Sequence, residues 1–179
     1  MWFSKTAARK NFQQWVKQHH KALYRHALWM CGDASLAEDM VQETYFQAWQ
    51  SYQHLKDERK ALAWLLTILR RVVYREYGHK AKQQNLQQHI QNMGLVEFAA
   101  NKQGEYLDVL QALEKMNINQ REALLLHGLH GYSYEDISQQ LDVPIGTVMS
   151  RISRARKILQ PVKWSDDNNV LPFSVQKKV

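Results

Sequence analysis

Apolar residues recur every three or four positions along most of this chain of 179 residues, as they do on the buried face of a helix. No segment shows the sustained alternation of apolar and polar residues that is typical of a half-buried strand. Glycine and proline are scarce, with seven and three copies, so few positions interrupt a helix. The predicted fold class is therefore all-α, built from long helices.

The helical segments fall into two groups. The first group consists of predicted helices at residues 9–30, 36–50 and 61–77. The second group consists of predicted helices at residues 107–116, from 119 to 131, at 134–141 and at 144–159. Between the groups the periodicity fades, and residues 83–106 contain six Gln, which is typical of a linker. We predict two small helical domains at 9–79 and 107–160, a flexible connector at 80–106 and a tail at 161–179.

Three pairs of residues have the spacing of a capping box, in which two side chains three positions apart each bond the other's backbone. The pairs are Ser35 and Glu38, Asn119 and Glu122, and Ser133 and Asp136. Each pair predicts the first turn of a helix. Pro144 suits the first position of the last helix, where its missing N–H costs nothing.

The last two predicted helices have the pattern of a helix-turn-helix, whose second helix enters the major groove of DNA. At 100° per residue, the apolar positions of that second helix face the core: Val148, Ile152, Ala155 and Leu159. Its other positions carry short polar side chains and cations, which suit base edges and phosphates. The candidates for base contact are Met149, Ser150, Ser153 and Arg154, and the candidates for phosphate contact are Arg151, Arg156 and Lys157, with Thr147 beside them. The alternative is a surface helix that is basic by chance.

The helix predicted at 61–77 also has two distinct faces. Its core face comprises Ala61, Leu62, Leu65, Ile68, Leu69, Val72 and Val73. Its other face comprises Trp64, Thr67, Arg70, Arg71 and Tyr74. Aromatic rings interleaved with arginines are typical of single-strand nucleic-acid binding, where rings stack on bases and cations hold the backbone. The alternative is that Trp64 and Tyr74 pack beneath a polar loop at 51–60.

The helix predicted at 36–50 has two apolar faces. One comprises Leu36, Ala37, Met40, Val41, Thr44 and Ala48. The other comprises Tyr45, Phe46 and Trp49, beside Glu38, Asp39, Gln42 and Glu43. A helix in a small domain rarely needs both faces buried, so the second face is expected to meet a partner protein. The alternative is a fully buried helix.

Charge alternates in sign along the chain. Residues 1–32 carry six basic and no acidic side chains, 59–82 carry seven basic and one acidic, and 147–163 carry five basic and no acidic. The blocks between them are acidic, and the formal net charge is +7. Separate basic blocks indicate more than one contact with a polyanion, although ordinary solvated helix faces would give the same pattern.

The sequence lacks the residue patterns of common enzymes and metal sites. Cys31 is the only cysteine, which excludes an intramolecular disulfide and fits a reducing cytosol. His19, His20, His26 and His130 lack ligand partners at helical spacing, and no Gly-rich phosphate loop, nucleophile elbow or carboxylate pair is present. We therefore expect no cofactor, no metal and no catalytic activity. The longest apolar stretch, at 61–69, is far shorter than the roughly 20 residues of a membrane span, so no membrane insertion is expected.

Three stretches together resemble bacterial RNA polymerase sigma factors of the extracytoplasmic-function (ECF) type. The segment DMVQETYFQAW, residues 39–49, resembles their region 2 helix. The segment AWLLTILRRVV, residues 63–73, resembles their promoter-melting helix. The segments GYSYEDIS and VPIGTVMSRISRAR, which begin at Gly131 and Val143, resemble their region 4.

The resemblance implies a dissociable initiation factor that gives RNA polymerase its promoter specificity in the bacterial cytoplasm. Core polymerase would bind Asp39, Gln42 and Glu43 through the clamp helices of its largest subunit. The −10 strand would bind the face of Trp64, Thr67, Arg70, Arg71 and Tyr74 together with the loop at 51–60. The −35 duplex would bind the helix at 144–159. Core polymerase and promoter DNA are thus the implied partners, and an anti-sigma protein is implied by the family alone.

The chain departs from the usual family pattern at several positions. Many relatives have Asn at the position of Arg71, Asp at that of Arg75 and a cation at that of Met149. The alternative function is a stand-alone helix-turn-helix regulator, which would need a dimer interface in place of a polymerase-binding face. A recombinase-like DNA enzyme would need a nucleophile in a larger mixed domain, for which residues 1–80 are too few and too helical.

Overall fold

The computed structural model describes residues 2–52, 55, 57–83 and 103–160, with side chains described at 12–52, 55, 57–78 and 108–160. All regular elements in these residues are helical, which confirms the all-α prediction. The chain divides into two compact units, Met1–Gly94 and Leu95–Val179. Most of the predicted connector and the whole predicted tail lie outside the described residues.

The first unit contains three long helices in its described part. They are α1 (Trp2–Cys31), α2 (Ala34–Ser51) and α3 (Ala61–Gln83), and a short 3-10 turn at Glu58–Lys60 precedes α3. Each of these helices packs against the other two. α1 begins earlier and α3 ends later than the apolar pattern predicts, and neither extension contains a proline that would end the helix.

A sharp corner joins α1 to α2. Gly32 has a φ of 72°, a left-handed conformation that glycine adopts without steric cost, and its N–H donates back into the last turn of α1 at 2.8 Å. Asp33 caps α2, because its carboxylate accepts the Leu36 N–H at 2.8 Å. The predicted capping box of Ser35 and Glu38 is therefore wrong. The Asp33 carboxylate satisfies that early N–H of α2 and also complements the positive end of the helix dipole.

The three helices of the first unit bury a common apolar core. Its fully buried side chains include Leu23 and Met30 from α1, Val41 from α2, and Leu65, Leu66, Leu69 and Val73 from α3. Thr44 is buried among them and donates its hydroxyl to the Met40 carbonyl at 2.7 Å, so its donor is satisfied. The predicted inner faces of α2 and α3 are confirmed, except that Leu36 and Leu62 are half-buried and Leu66 joins the core.

The second unit contains four helices in its described part. They are α4 (Gln103–Glu114), α5 (Ile118–His130), α6 (Tyr134–Leu141) and α7 (Ile145–Leu159). α7 packs against each of the other three. α5 begins with a capping box of Asn117 and Gln120, so the predicted pair of Asn119 and Glu122 is wrong by two residues. Glu122 is only 3% exposed, which places it in the packed face of α5 rather than at its cap.

Two tight turns connect α6 to its neighbours. Gly131 ends α5 with a φ of 71°, and the predicted capping box starts α6, since the Asp136 N–H donates to Ser133 Oγ at 3.0 Å. Asp142 ends α6 in the left-handed region, with a φ of 53°. Pro144 is the N-cap of α7, one residue before the position predicted for it. The arrangement of helix, tight turn and helix is that of a helix-turn-helix, as the sequence predicts.

Among the described helices, none combines the length and the hydropathy that a bilayer crossing needs. The described His, Cys, Asp and Glu side chains form no cluster of three or more that could hold a metal ion. Cys31 is a half-buried thiol, and its Sγ donates to the Asp33 carbonyl oxygen at 3.2 Å.

Candidate nucleic-acid and protein interfaces

α7 has one buried face and one exposed face. Its buried residues are the four that the helical pattern predicts: Val148, Ile152, Ala155 and Leu159. The exposed residues among the DNA-contact candidates are Met149, Ser153, Arg154, Arg156 and Lys157, and the half-buried ones are Thr147, Ser150 and Arg151. The structure thus brings three exposed cations and an exposed hydroxyl to one side of a helix that is anchored by its other side.

The half-buried residues of α7 are less accessible to a ligand. Ser150 donates its hydroxyl to the Thr147 carbonyl at 2.9 Å, so its oxygen is left to accept a further hydrogen bond. Arg151 has its Nη1 buried without a hydrogen-bond partner in the described residues. A guanidinium that is partly turned into the protein offers fewer donors to a phosphate than the exposed cations do.

Arg156 is positioned by contacts that run back to α5. Its Nη1 lies 3.5 Å from the hydroxyl of Tyr134, at the start of α6. The Tyr134 ring packs against the ring of His127, with 5.0 Å between centroids. His127 Nδ1 lies 2.9 Å from the Tyr132 carbonyl, which can only accept, so Nδ1 is the donor. These contacts place the Arg156 guanidinium beside the start of α6.

The outer face of α3 is partly covered. Arg71 is exposed, whereas Trp64, Thr67, Arg70 and Tyr74 are half-buried. Thr67 donates its hydroxyl to the Ala63 carbonyl at 2.9 Å. The guanidinium carbon of Arg70 lies 5.3 Å from the centroid of the Tyr74 ring, which is the geometry of a cation–π contact. The five candidates therefore share one face, on which each ring keeps some surface accessible.

The loop before α3 is described only in part. Arg59 donates Nε and Nη2 to the two carboxylate oxygens of Asp57, at 3.0 and 3.1 Å, in an exposed fork. The side-chain hydrogen bonds from Arg59 lower the pKa of Asp57, and the backbone N–H of Arg59 adds to the effect. Residues 53, 54 and 56 lie outside the described residues. The alternative in which Trp64 and Tyr74 pack beneath this loop stays a prediction.

The second face of α2 is open, so the alternative of a fully buried helix is wrong. Asp39 and Gln42 are exposed, and Glu43 is half-buried. Phe46 keeps 58% of its surface exposed and Trp49 keeps 40%. Two exposed aromatic side chains, Phe46 and Trp49, on the same helix as these polar groups suit a protein contact, because aromatic residues are enriched at the centres of interfaces.

Tyr45 belongs to the interface between α1 and α2 and not to the open face on which the sequence pattern placed it. Its ring stacks on His20 with 6.2 Å between centroids, and its hydroxyl lies 3.4 Å from the Val16 carbonyl. Burial raises the pKa of Tyr45 to about 12. Trp49 is also partly held, because its ring lies 5.1 Å from those of both Phe12 and Tyr52. Phe46 is therefore the main free apolar side chain of this face.

Glu43 joins α2 to α3. Its Oε1 accepts hydrogen bonds from Gln47 Nε2 at 2.7 Å and from Arg75 Nη2 at 3.2 Å. The Gln47 hydrogen bond and then the Arg75 hydrogen bond lower the pKa of Glu43. The sequence pattern marked Arg75 only as a departure from the family. Arg75 lies 32 residues from its partner Glu43, and helical periodicity carries no information at that separation.

Two family models match the chain. Sigma-70 region 2 matches residues 15–83, and Sigma-70, region 4 matches residues 106–159. The first match contains α2 and α3 in full, and the second contains α5, α6 and α7. All of the candidate interface residues lie within these two matches.

Known proteins with similar sequences carry the same assignment. The ECF RNA polymerase sigma factor EcfG of Rhodopseudomonas palustris is 30% identical over 146 residues, which are 81% of this chain and 81% of that protein. The ECF RNA polymerase sigma factor SigL of Mycobacterium tuberculosis is 32% identical over 148 residues, which are 80% and 83%. The sigma factor RpoE of Bartonella quintana, solved in complex with the anti-sigma factor NepR, matches with a TM-score of 0.71 and 30% identity over 86% of this chain and 96% of that one. This chain therefore belongs to the ECF sigma factors of the sigma-70 family, which are initiation factors of RNA polymerase and not enzymes.

Proposed function

We propose that this ECF sigma factor directs core RNA polymerase to promoters through three surfaces, each carried by one helix. α2 binds the polymerase, α3 holds the −10 strand, and α7 reads the −35 duplex. The observation that carries the proposal is the exposed cationic face of α7, which is anchored by a fully buried opposite face. Region 2 occupies 9–79 and region 4 occupies 107–160, with the connector at 80–106 and the tail at 161–179.

At the −35 element, α7 lies in the major groove. Met149, Ser150, Ser153 and Arg154 face base edges, and Thr147, Arg151, Arg156 and Lys157 face the phosphates. The contact between Arg156 and Tyr134 supports this division, because it directs that cation to the flank of the helix. A cation on the flank of a recognition helix is placed to meet the DNA backbone.

At the −10 element, the outer face of α3 binds a single strand. Trp64 and Tyr74 stack on unpaired bases, Arg70 and Arg71 hold the backbone, and Thr67 offers a hydrogen bond between them. Flipping a base out of the duplex costs a few kcal/mol, and stacking on an aromatic ring returns about 1–3 kcal/mol per base. Two rings and two cations therefore offset the cost of opening one or two bases.

The open face of α2 binds core polymerase. Asp39, Gln42 and Glu43 provide charged and polar contacts, and Phe46 provides the apolar centre that such interfaces contain. As a sigma factor the chain acts with the polymerase, and the alternative of a stand-alone helix-turn-helix regulator is not favoured.

An anti-sigma protein is a further partner in this proposal. The structure of RpoE from Bartonella quintana was determined in complex with an anti-sigma factor, and the match to it covers 86% of this chain. A protein that covers the α2 face would compete directly with core polymerase. Because it acts at promoters, this sigma factor functions in the bacterial cytoplasm.

In vitro transcription tests the proposal. A library of genomic fragments is transcribed by core polymerase from the bacterium that encodes the chain, with and without the full-length protein. Added protein should produce transcripts whose start sites share one −35 motif and one −10 motif. Failure to start RNA at any promoter would contradict the proposal.

A further inference from the structure

Two large apolar side chains are exposed at the start of α7. Ile145 keeps 41% of its surface exposed and Met149 keeps 53%. They are four residues apart, so they lie side by side along one stripe of the helix. No other large apolar side chain in the described part of the second unit is as exposed. The pair therefore forms an apolar patch on a surface that is otherwise polar and cationic.

The surroundings of this patch suit a polyanion. Ser153 and Arg156 continue the same stripe, and Lys157 lies next to it, all of them exposed. The contact with Tyr134 at 3.5 Å holds Arg156 on this side of the helix. The sequence of α7, IGTVMSRISRARKIL, contains no acidic residue. A partner that presents negative charge around an apolar group would therefore suit the patch and the cations of α7.

Gly146 adds an independent observation next to the patch. A Cβ there would meet no atom within 4 Å, and the backbone is not in the left-handed region, so neither packing nor φ requires glycine. No contact inside the unit therefore requires glycine at this position. A ligand that approaches the helix backbone closely, as the edges of a DNA groove do, would use the space that the missing side chain leaves.

We propose that Ile145 and Met149 read the C5-methyl groups of thymines in the −35 element, an inference that rests on the proposed docking of α7 in the major groove. The thymine methyl is the apolar group that base pairs present in that groove, and apolar side chains recognise it. The phosphates of the same duplex supply the surrounding negative charge.

The spacing of the two side chains predicts which thymines are read. Four residues of α-helix rise about 6 Å. Successive bases on one strand are about 3.4 Å apart. Ile145 and Met149 therefore reach bases one or two steps apart, and the methyl-dependent positions should be neighbours or next-nearest neighbours.

The test removes the methyl group without changing base pairing. A −35 element is first selected by transcription of a library with randomised −35 sequences, using core polymerase and the full-length chain. In the selected promoter each thymine of the element is replaced in turn by deoxyuridine, which lacks only the C5-methyl group. Binding of the promoters is then measured for holoenzymes that contain the wild-type chain, Met149→Ala or Ile145→Ala.

Deoxyuridine at one or two positions should weaken wild-type binding about fourfold, which is the value of one buried methyl-sized group. Met149→Ala should bring the ratio of affinities for thymine and deoxyuridine close to 1 at one such position, and Ile145→Ala should do so at another. Lys157→Ala is the matched control on the same helix, because loss of a phosphate contact should lower both affinities and leave their ratio unchanged.

Wild-type binding that is equally tight to every deoxyuridine promoter would overturn the inference, as would a methyl effect that persists in both variants. A selected element made only of G·C pairs would do the same. If Met149→Ala weakens association with core polymerase and leaves the methyl effect intact, the patch is a protein contact and the inference is wrong. Failure to select any promoter would overturn the proposed function and this inference together, whereas the other outcomes overturn the inference alone.

Discussion

Gly146 illustrates, at the scale of one residue, how binding and stability place opposite demands on a position. It lies in the first turn of α7, and a side chain there would touch nothing in the protein. Alanine is the better helix former, so the fold alone would favour it. The exposed face of α7 is also the surface that we assign to the −35 duplex, which gives the glycine a reason outside the protein.

Gly146→Ala should therefore raise the stability of the second unit by less than about 1 kcal/mol and weaken binding of the −35 duplex. Amide hydrogen exchange in α5 to α7 measures the stability, and titration of a labelled duplex measures the binding. Gly78→Ala is the matched control, because Gly78 is also a helical glycine with no atom within 4 Å of an added Cβ. It should stabilise α3 without affecting the duplex. Unchanged duplex binding by Gly146→Ala would contradict close approach of DNA at this position.

Arg154 and Lys157 allow a second comparison between single residues. Both are exposed on α7, three positions apart. Arg154→Ala should weaken binding of the cognate −35 duplex by about 1–3 kcal/mol and relax the preference at one base pair, as expected of a base contact. Lys157→Ala should weaken binding to all duplexes alike and reduce the salt slope by about 1. A uniform loss across sequences in Arg154→Ala would make Arg154 a phosphate contact instead.

At the scale of helices, the ion pair of Glu43 and Arg75 connects the proposed polymerase-binding helix to the proposed DNA-binding helix. The two side chains are 38% and 53% exposed, and their closest atoms are 3.2 Å apart. Exposed pairs contribute at most about 1 kcal/mol, so this pair adjusts the packing of α2 on α3 and does not determine it.

Glu43→Gln should lower the free energy of unfolding of the first unit by less than about 1 kcal/mol at pH 7. The pKa of Glu43 is lowered below its ordinary 4.5 by hydrogen bonds from Gln47 and Arg75. Its stabilising effect is therefore fully present above pH 4.5 and is lost as the pH falls through the lowered pKa, so the variant and the wild type should converge in acid. Urea unfolding followed by tryptophan fluorescence reports on this unit, which holds five of the six tryptophans.

The controls for that experiment are Glu38→Gln and Arg75→Gln. Glu38→Gln makes the same charge change on the exposed side of α2, where the described residues show no ion pair to it, so it should not alter stability. Arg75→Gln should reproduce the loss, and the double variant should lose no more than either single variant. A double variant that loses the sum of the two would mean that the side chains do not interact.

Helices and their faces were predictable from the sequence, whereas their exact starts and cross-helix contacts were not. The inner face of α7 follows from periodicity alone, because burial repeats with the helical turn. The start of α2 does not follow from the sequence pattern. Ser35 and Asp33 both suit an N-cap, and only the backbone conformation after Gly32 selects Asp33. Tyr45 was placed on the wrong face, and the contact of Arg75 was missed, for a related reason. Their partners lie on other helices, 29 and 32 residues away, where local spacing carries no information.

At the scale of the whole molecule, two units on one chain each carry a basic surface assigned to promoter DNA. Each surface alone is small, so each is expected to bind DNA weakly. Core polymerase holds both units through α2. Once one unit has bound the promoter, binding of the second unit becomes an intramolecular step. The effective concentration of the second unit rises, and the affinity for the promoter increases by about 10²–10⁴. Promoter activity should therefore depend on α2 more steeply than DNA binding by the isolated chain does.

The double variant Gln42→Ala/Glu43→Ala tests this dependence. It should elute apart from core polymerase on a sizing column and lose promoter transcription by more than about tenfold, because the effective concentration of the DNA-binding units is lost. Binding of the isolated chain to a −35 duplex and the helical circular dichroism signal should stay unchanged. Arg75→Ala breaks the same ion pair but keeps the Glu43 carboxylate, so it should still co-elute. If Arg75→Ala also fails to co-elute, packing of α2 on α3 is what the polymerase needs, and if the double variant co-elutes normally, the polymerase does not bind this face.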